Sequence, residues 1–281
     1  MIKSNYHIHS TYCDGENDLE EMVIAAVASG LTSIGFTGHM SMPYKNDVAI
    51  PEADISSYMT EVRALAEKYK KTIAIYLGME VDYFIDKKDI SSLAKQIIPE
   101  LDFFIGSIHV MGLLKNGNMA EIDYTPENFR QGIEECYNGS ARALVEAYYS
   151  ELGNMALKLR PDIIGHLDII KKNNENGIFF DEDAIWYKHA VRGCLSKIKK
   201  SGSIIEINTG GIIRYGERCL YPEWWIIHEI KKSNIPIMLN GDSHSIEGIA
   251  YHYEQIEELL KAVGFKEVMM LENNKWQSIS I

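Results

Sequence analysis

Residues 2–39 read IKSNYHIHSTYCDGENDLEEMVIAAVASGLTSIGFTGH, and they hold the pattern that organises the rest of the chain. A β-rich run over residues 2–8 is followed by Leu19, Met22, Val23, Ala26 and Val27, spaced as one face of a helix. A second short apolar run, residues 33–37, comes next, so the segment predicts strand, helix, strand. Both strands run into histidine, His7 and His9 at the first and His39 just past the second.

The alternation continues outward. Helical spacing recurs around residues 56–69, 127–159, 182–199, 223–231 and 246–263, and strand-like runs at 73–80, 103–108, 163–166, 203–207 and 235–239. Seven or eight βα units result. With no Pro/Gly/Ser-rich linker, low-complexity tract or repeat to mark a boundary, a single domain over residues 1–281 is the simpler reading. Units of this kind favour a parallel sheet, and their number favours a closed α/β barrel, with an open doubly wound sheet as the alternative.

Composition is that of an ordinary soluble protein, 46% apolar and 24% charged. The four cysteines, Cys13, Cys136, Cys194 and Cys219, form no CxxC pair, which argues against a zinc knuckle or disulfide framework and fits a reducing cytoplasm. The polar start MIKSNYHIHS lacks the apolar region of a signal peptide, and no apolar run approaches bilayer-spanning length, so no membrane is expected. A net charge of −12 disfavours nucleic acid as a partner. It suits an anionic substrate only if bound cations reverse the potential inside the site.

Side chains at i and i+2 of a strand project to the same side, so His7 and His9 can share a metal. One such pair is weak evidence, but the event recurs. His39 follows SIGFTG, Glu80 follows AIYLGM, His109 follows FFIGSI, His166 follows DIIG, and Asp242 with His244 follows IPIMLNG. In a parallel barrel all these strand ends share one rim, which becomes a metal-binding cup. His189, His228 and His252 fall in helical segments and read as surface or core residues. Imidazole and carboxylate without thiolate suit zinc, manganese or iron rather than a structural zinc site.

The segments HIHSTYCDG, GFTGHMSMP, GMEVDY, IGSIHVMG, GHLDIIKK, EINTGG and NGDSH stand in that order. Through them the chain resembles the polymerase-and-histidinol-phosphatase (PHP) family over nearly its whole length. GMEVDY, GSIH, GHLDIIKK and the EINTGG to YP stretch are most similar to the histidinol-phosphate phosphatase branch. The resemblance implies a distorted (β/α)7 barrel, three divalent metal ions and hydrolysis of L-histidinol phosphate, a small phosphorylated substrate of histidine biosynthesis. It carries metal-ligand roles onto His7, His9, His39, Glu80, His109, His166, Asp242 and His244.

Two departures stand out. Many relatives place a histidine where this chain has Gly15, leaving Asp14 as the available ninth ligand, although Asp-Gly is also a turn signal. Gly38 stands where relatives often have Asp beside the histidine, so a supporting hydrogen bond to a ligand is either missing or supplied from elsewhere.

Glu80 is the expected carboxylate bridge between two ions, and Asp242 the group that ligates metal and steers the proton. Phosphoryl charge also calls for fixed cationic donors. Arg214, after EINTGG, is the first choice, Arg160 a weaker second, and Asn208 a possible hydrogen-bond donor to substrate. The Trp224-Trp225 pair and Lys171-Lys172 read as packing anchors and solvated surface. Other readings stay open: action on another small phosphomonoester or a nucleotide, a non-catalytic metal-stabilised binding module, and, last, a metal-dependent amidohydrolase.

Overall fold

The computed structural model describes residues 1–44 and 46–281. Elements follow in the order β1 (Ser4–Asn5), α1 (Leu19–Ala28), β2 (Ser33–Phe36), α2 (Ile55–Tyr69), β3 (Ala74–Leu77), β4 (Glu80–Asp82), α3 (Ser92–Ile97) and β5 (Ile105–Ser107). Next come β6 (Val110–Leu113), β7 (Met119–Glu121), α4 (Pro126–Cys136), α5 (Ala141–Leu159), β8 (Ile163–Ile164), α6 (Ile185–Ser201), β9 (Ile204–Asn208) and α7 (Gly210–Tyr215). The chain ends with α8 (Trp224–Ser233), β10 (Ile237–Asn240), α9 (Tyr253–Val263), β11 (Glu267–Glu272) and β12 (Lys275–Ser280).

The parallel strands form two arcs, β1-β2-β3 and β10-β9-β8-β5-β4, and the arcs join into a ring. On one side β3 and β4 are halves of one path. Gly78 N–H donates to Phe36 O, and Ile105 N–H donates to Met79 O. On the other side Ile8 bridges Ser243 in parallel, with Ser243 N–H donating to His7 O and His9 N–H to Ser243 O, each at 2.9 Å. Counting β3/β4 once, seven strands close a distorted (β/α)7 barrel. The closing bridge between first and last strand rules out the open sheet.

The lower half of the ring is apolar. Tyr6, Phe103, Ile105, Ile163, Ile204 and Met238 pack together, and Leu271 of the β11–β12 hairpin seals them from below. Leu271 N–H donates to Tyr6 Oη at 2.8 Å, and Trp276 Nε1 donates to Asp162 Oδ1 at 2.9 Å. Asn273 and Asn274, both at positive φ, make the tight turn that joins the two strands.

Local structure departs from the sequence expectation at chain breaks. The helical region expected over 127–159 is two helices, because Asn138 and Gly139 take φ of 52° and 76° and Ser140 caps α5 by accepting from Ala143 N–H. The helix expected over 246–263 begins only at Tyr253, after His252 at φ 60°. His189 and His228 lie exposed on α6 and α8. Two antiparallel hairpins, β6–β7 and β11–β12, lie outside the βα pattern. Among the described residues no helix is long and apolar enough to cross a membrane.

Leu271→Ala should lower unfolding stability by about 3 kcal/mol, the usual cost of a buried leucine truncation, as read from urea unfolding followed by circular dichroism. A loss below about 1 kcal/mol would mean that the hairpin does not seal the barrel.

Candidate metal centre

Each strand delivers its polar residue at its C-terminal end, so the upper rim of the ring collects them. Glu80 stands at their centre, 1% exposed. Its Oε2 lies 3.1 Å from His7 Nε2, 3.2 Å from His39 Nδ1 and 3.6 Å from His9 Nε2. Its Oε1 lies 2.9 Å from His166 Nε2 and 3.6 Å from His109 Nε2, and accepts from Ser107 Oγ at 2.6 Å. Asp242 Oδ1 is 3.3 Å from His9 Nε2 and 3.6 Å from His7 Nε2.

Asp14 also reaches this group. Its Oδ2 is 3.3 Å from His244 Nε2, and its Oδ1 is 3.7 Å from His39 Nε2. A Cβ at Gly15 would sit 2.5 Å from Ser10 N, so the loop admits no side chain there and presents Asp14 instead. Gly38 is similarly constrained, since a Cβ would fall 2.8 Å from Ile50 Cδ1. A side chain beside His39 would have to displace the end of Ile50, and both ring nitrogens of His39 face carboxylates of the cup, Nδ1 towards Glu80 and Nε2 towards Asp14.

The donor set fits metal ions. Within 4.8 Å of one another lie the ligand atoms of His9, Asp14, His39 and His244, of His7, Glu80 and His166, of His7, His9 and Asp242, and of His39, Glu80 and His109. His9 Nε2, buried, has no hydrogen-bond partner among the described residues, and His109 Nε2 faces His166 Nε2 at 3.1 Å. Two imidazole nitrogens aimed at each other need a proton or a cation between them. Burial first, then His244 and His39, push His9 down to about 3, so its ring stays neutral and able to ligate at neutral pH. Burial opposes charge on Glu80, yet His7, His39, His109 and His166 hold it well below the usual carboxylate range.

A second layer fixes the imidazoles. His109 Nδ1 donates to Asp82 Oδ1 at 2.9 Å, and His7 Nδ1 donates to Glu206 Oε2 at 3.0 Å. Glu206, fully buried, also accepts from His166 N–H at 2.6 Å, Asn208 Nδ2 at 2.8 Å and Asn240 Nδ2 at 2.9 Å. Such partners set ring tautomer and ligand basicity. Neither carboxylate was singled out from sequence, though the parity that pairs His7 with His9 also pairs Glu80 with Asp82 and Glu206 with Asn208.

A cleft of about 320 Å³ opens over the cup, with Glu80, His109, His166, Asp242 and His244 on its floor and Lys172, Arg214, Tyr215 and Tyr221 on one wall. Arg214 NH1 lies 3.3 Å from His244 Nδ1 and NH2 lies 3.5 Å from Asp242 Oδ2.

Three assignments need correction. Arg160 precedes β8 rather than following it, so it lies exposed beside Trp276 at the lower end, away from the cup. Asn208 is fully buried with its amide committed to Glu206, Asp242 and Gly210 N–H, which makes it a support for Asp242 rather than a substrate contact. The lysines are not solvated surface either. Lys171 is buried against Asp168 at 2.9 Å, and Lys172 lines the cleft. Trp224 and Trp225 pack partly buried against the core, as expected.

Glu206→Gln should lower metal affinity roughly 10- to 100-fold, the usual effect of losing such a second-layer partner. Metal retained after dialysis against graded chelator measures it; retention equal to that of the parent would remove Glu206 from the support of the site.

The PHP domain family profile matches residues 5–210. The histidinol-phosphatase of Bacillus subtilis (strain 168) is 28% identical over 276 residues, covering 92% of this chain and 99% of that protein. The solved structure of histidinol phosphate phosphatase from Lactococcus lactis, complexed with zinc, L-histidinol and phosphate, matches at a TM-score of 0.73 and 21% identity over 98% of each chain. A solved structure from Listeria monocytogenes matches at a TM-score of 0.77 and 21% identity over 90% of this chain and 99% of that one. A profile spanning residues 5–210 and two whole-length structural matches bear on the same barrel, and the chain belongs to the PHP domain family.

Proposed function

We propose that this chain is a metal-dependent phosphomonoesterase that hydrolyses L-histidinol phosphate to L-histidinol and phosphate. The observation that carries the reading is the convergence of His7, His9, Asp14, His39, Glu80, His109, His166, Asp242 and His244 under a small open cleft with Arg214 on its wall. The whole-length likeness to histidinol-phosphatases supports the substrate. Residues 1–281 act as one domain in this reading, because β1 and β10 close the same ring.

Three divalent ions, zinc, manganese or iron, are proposed to occupy the cup. Glu80, with one oxygen facing His7 and His39 and the other facing His166 and His109, would be shared between two of the donor groups. When bound, such ions supply Lewis-acid charge to the phosphoryl group and make water acidic enough to ionise near neutral pH.

The chain's own residues do the rest. Arg214, 38% exposed, keeps its guanidinium at the cleft and meets the phosphoryl oxygens, charge-assisted and in a planar fork. Asp242 stays ionised, because His7, His9, His244 and Arg214 outweigh the burial that opposes its charge. In this reading Asp242 would ligate metal and steer the proton of the attacking water. A cleft of about 320 Å³ lies near the small end of ligand pockets and suits a small phosphomonoester.

Phosphate release from L-histidinol phosphate should exceed that from a panel of other phosphomonoesters and nucleotides, vanish on chelation and return with a divalent ion. A preference for another phosphomonoester would keep the chemistry and replace the substrate; bound metal without hydrolysis would leave a binding module. Glu80→Gln and His244→Ala should lose most activity with the fold kept by circular dichroism. Near-parental turnover in both would overturn the role of the cup.

A further inference from the structure

Tyr221 lines the cleft and is 2% exposed, and its hydroxyl meets no nitrogen or oxygen partner among the described residues, its polar neighbour on the protein side being the Cys219 thiol, a weak hydrogen-bonding group. Several other buried tyrosines are paired. Tyr6 Oη meets Ser33, Tyr58 Oη donates to Gly78 O, Tyr148 Oη donates to Leu167 O, and Tyr149 and Tyr187 bond to each other. Burying a hydroxyl without a partner is costly, so an unpaired one beside a ligand cleft points to the ligand as the partner.

The ring is also held in place. Tyr221 and Asn208 exchange backbone hydrogen bonds at the end of β9, Tyr221 N–H donating to Asn208 O at 3.1 Å and Asn208 N–H to Tyr221 O at 2.6 Å. Lys171 Nζ lies 5.3 Å from the ring centroid and is itself fixed by Asp168 and Leu220 O, each at 2.9 Å. A Cβ at Gly211 would come within 2.7 Å of Tyr221 Cε2, so the second glycine of EINTGG keeps space for the ring. Arg214 and Lys172 also line the cleft, Lys172 lying 4.0 Å from Asp123, which leaves Arg214 as the cation nearest the cup.

We propose that the Tyr221 hydroxyl is a substrate-binding donor that hydrogen-bonds a phosphoryl oxygen beside Arg214. The inference rests on the phosphomonoesterase reading and names a contact within it. Burial holds the phenol well above its ordinary range, so it remains protonated and donates at any working pH. Its role is recognition of an anionic oxygen rather than proton transfer.

The test compares metal-loaded parent and Tyr221→Phe, with inorganic phosphate as the probe in titration calorimetry. Turnover of L-histidinol phosphate and of p-nitrophenyl phosphate is measured alongside. Phosphate affinity should fall roughly tenfold, the typical worth of a hydrogen bond to a charged group. kcat/KM should fall by a similar factor on both esters. Tm should change little, since on the protein side the lost hydroxyl meets only the weakly hydrogen-bonding Cys219 thiol. Unchanged phosphate affinity would overturn the proposal, as would a loss confined to L-histidinol phosphate, which would place the hydroxyl on the organic part. A parent that binds phosphate but leaves L-histidinol phosphate intact would overturn the substrate reading alone, because phosphate affinity still decides Tyr221.

Discussion

A carboxylate with almost no exposure, ringed by five imidazoles, is the constraint on which the upper half of this barrel depends. Removing an ionised carboxylate from water is expensive unless opposite charge and hydrogen bonds replace the water. Glu80 obtains them only because five histidines arrive from the ends of four other ring strands. Two of those histidines are in turn oriented by further carboxylates, His109 by Asp82 and His7 by Glu206. The ring is therefore divided. Its lower half is a close-packed aromatic and aliphatic plug, and its upper half is a polar lattice that leaves some ligand-type atoms, His9 Nε2 among them, without a hydrogen-bond partner among the described residues.

The same lattice explains how an acidic chain can present a site for an anion. Asp14, Glu80 and Asp242 bring negative charge to the cup. The cationic side chains Arg214 and Lys172 stand along one wall of the cleft above it. Total charge, −12, conceals that arrangement. The local field is set by which few charges face the cavity and by the cations that the cup is built to hold.

Much of the site was legible because strand parity and the shared rim of a parallel barrel turn sequence spacing into geometry. The histidines at 7, 9, 39, 109 and 166 and the acids at 80 and 242 could be placed together without coordinates. Arg160 shows where the reading stopped short: a residue before a strand lies on the lower rim, whatever motif follows it. Asn208 shows another gap, since sequence does not tell which partners have already claimed an amide. Lys171 and Lys172, adjacent in sequence, diverge into the core and into the cleft because the chain turns as a short 3₁₀ segment over Ile169–Lys171. The break at Asn138-Gly139 carried a readable turn signal, but the apolar spacing on either side ran through it.

The ring closes where Ile8 meets Ser243, so the cup is assembled from two stretches more than two hundred residues apart in the chain. Loop-closure entropy makes such a contact late and slow relative to local structure. During synthesis the amino-terminal histidines leave the ribosome long before Asp242 and His244 exist to complete their surroundings. A nascent chain that has not yet reached β10 therefore carries seven of the nine clustered side chains without the strand that closes the ring around them.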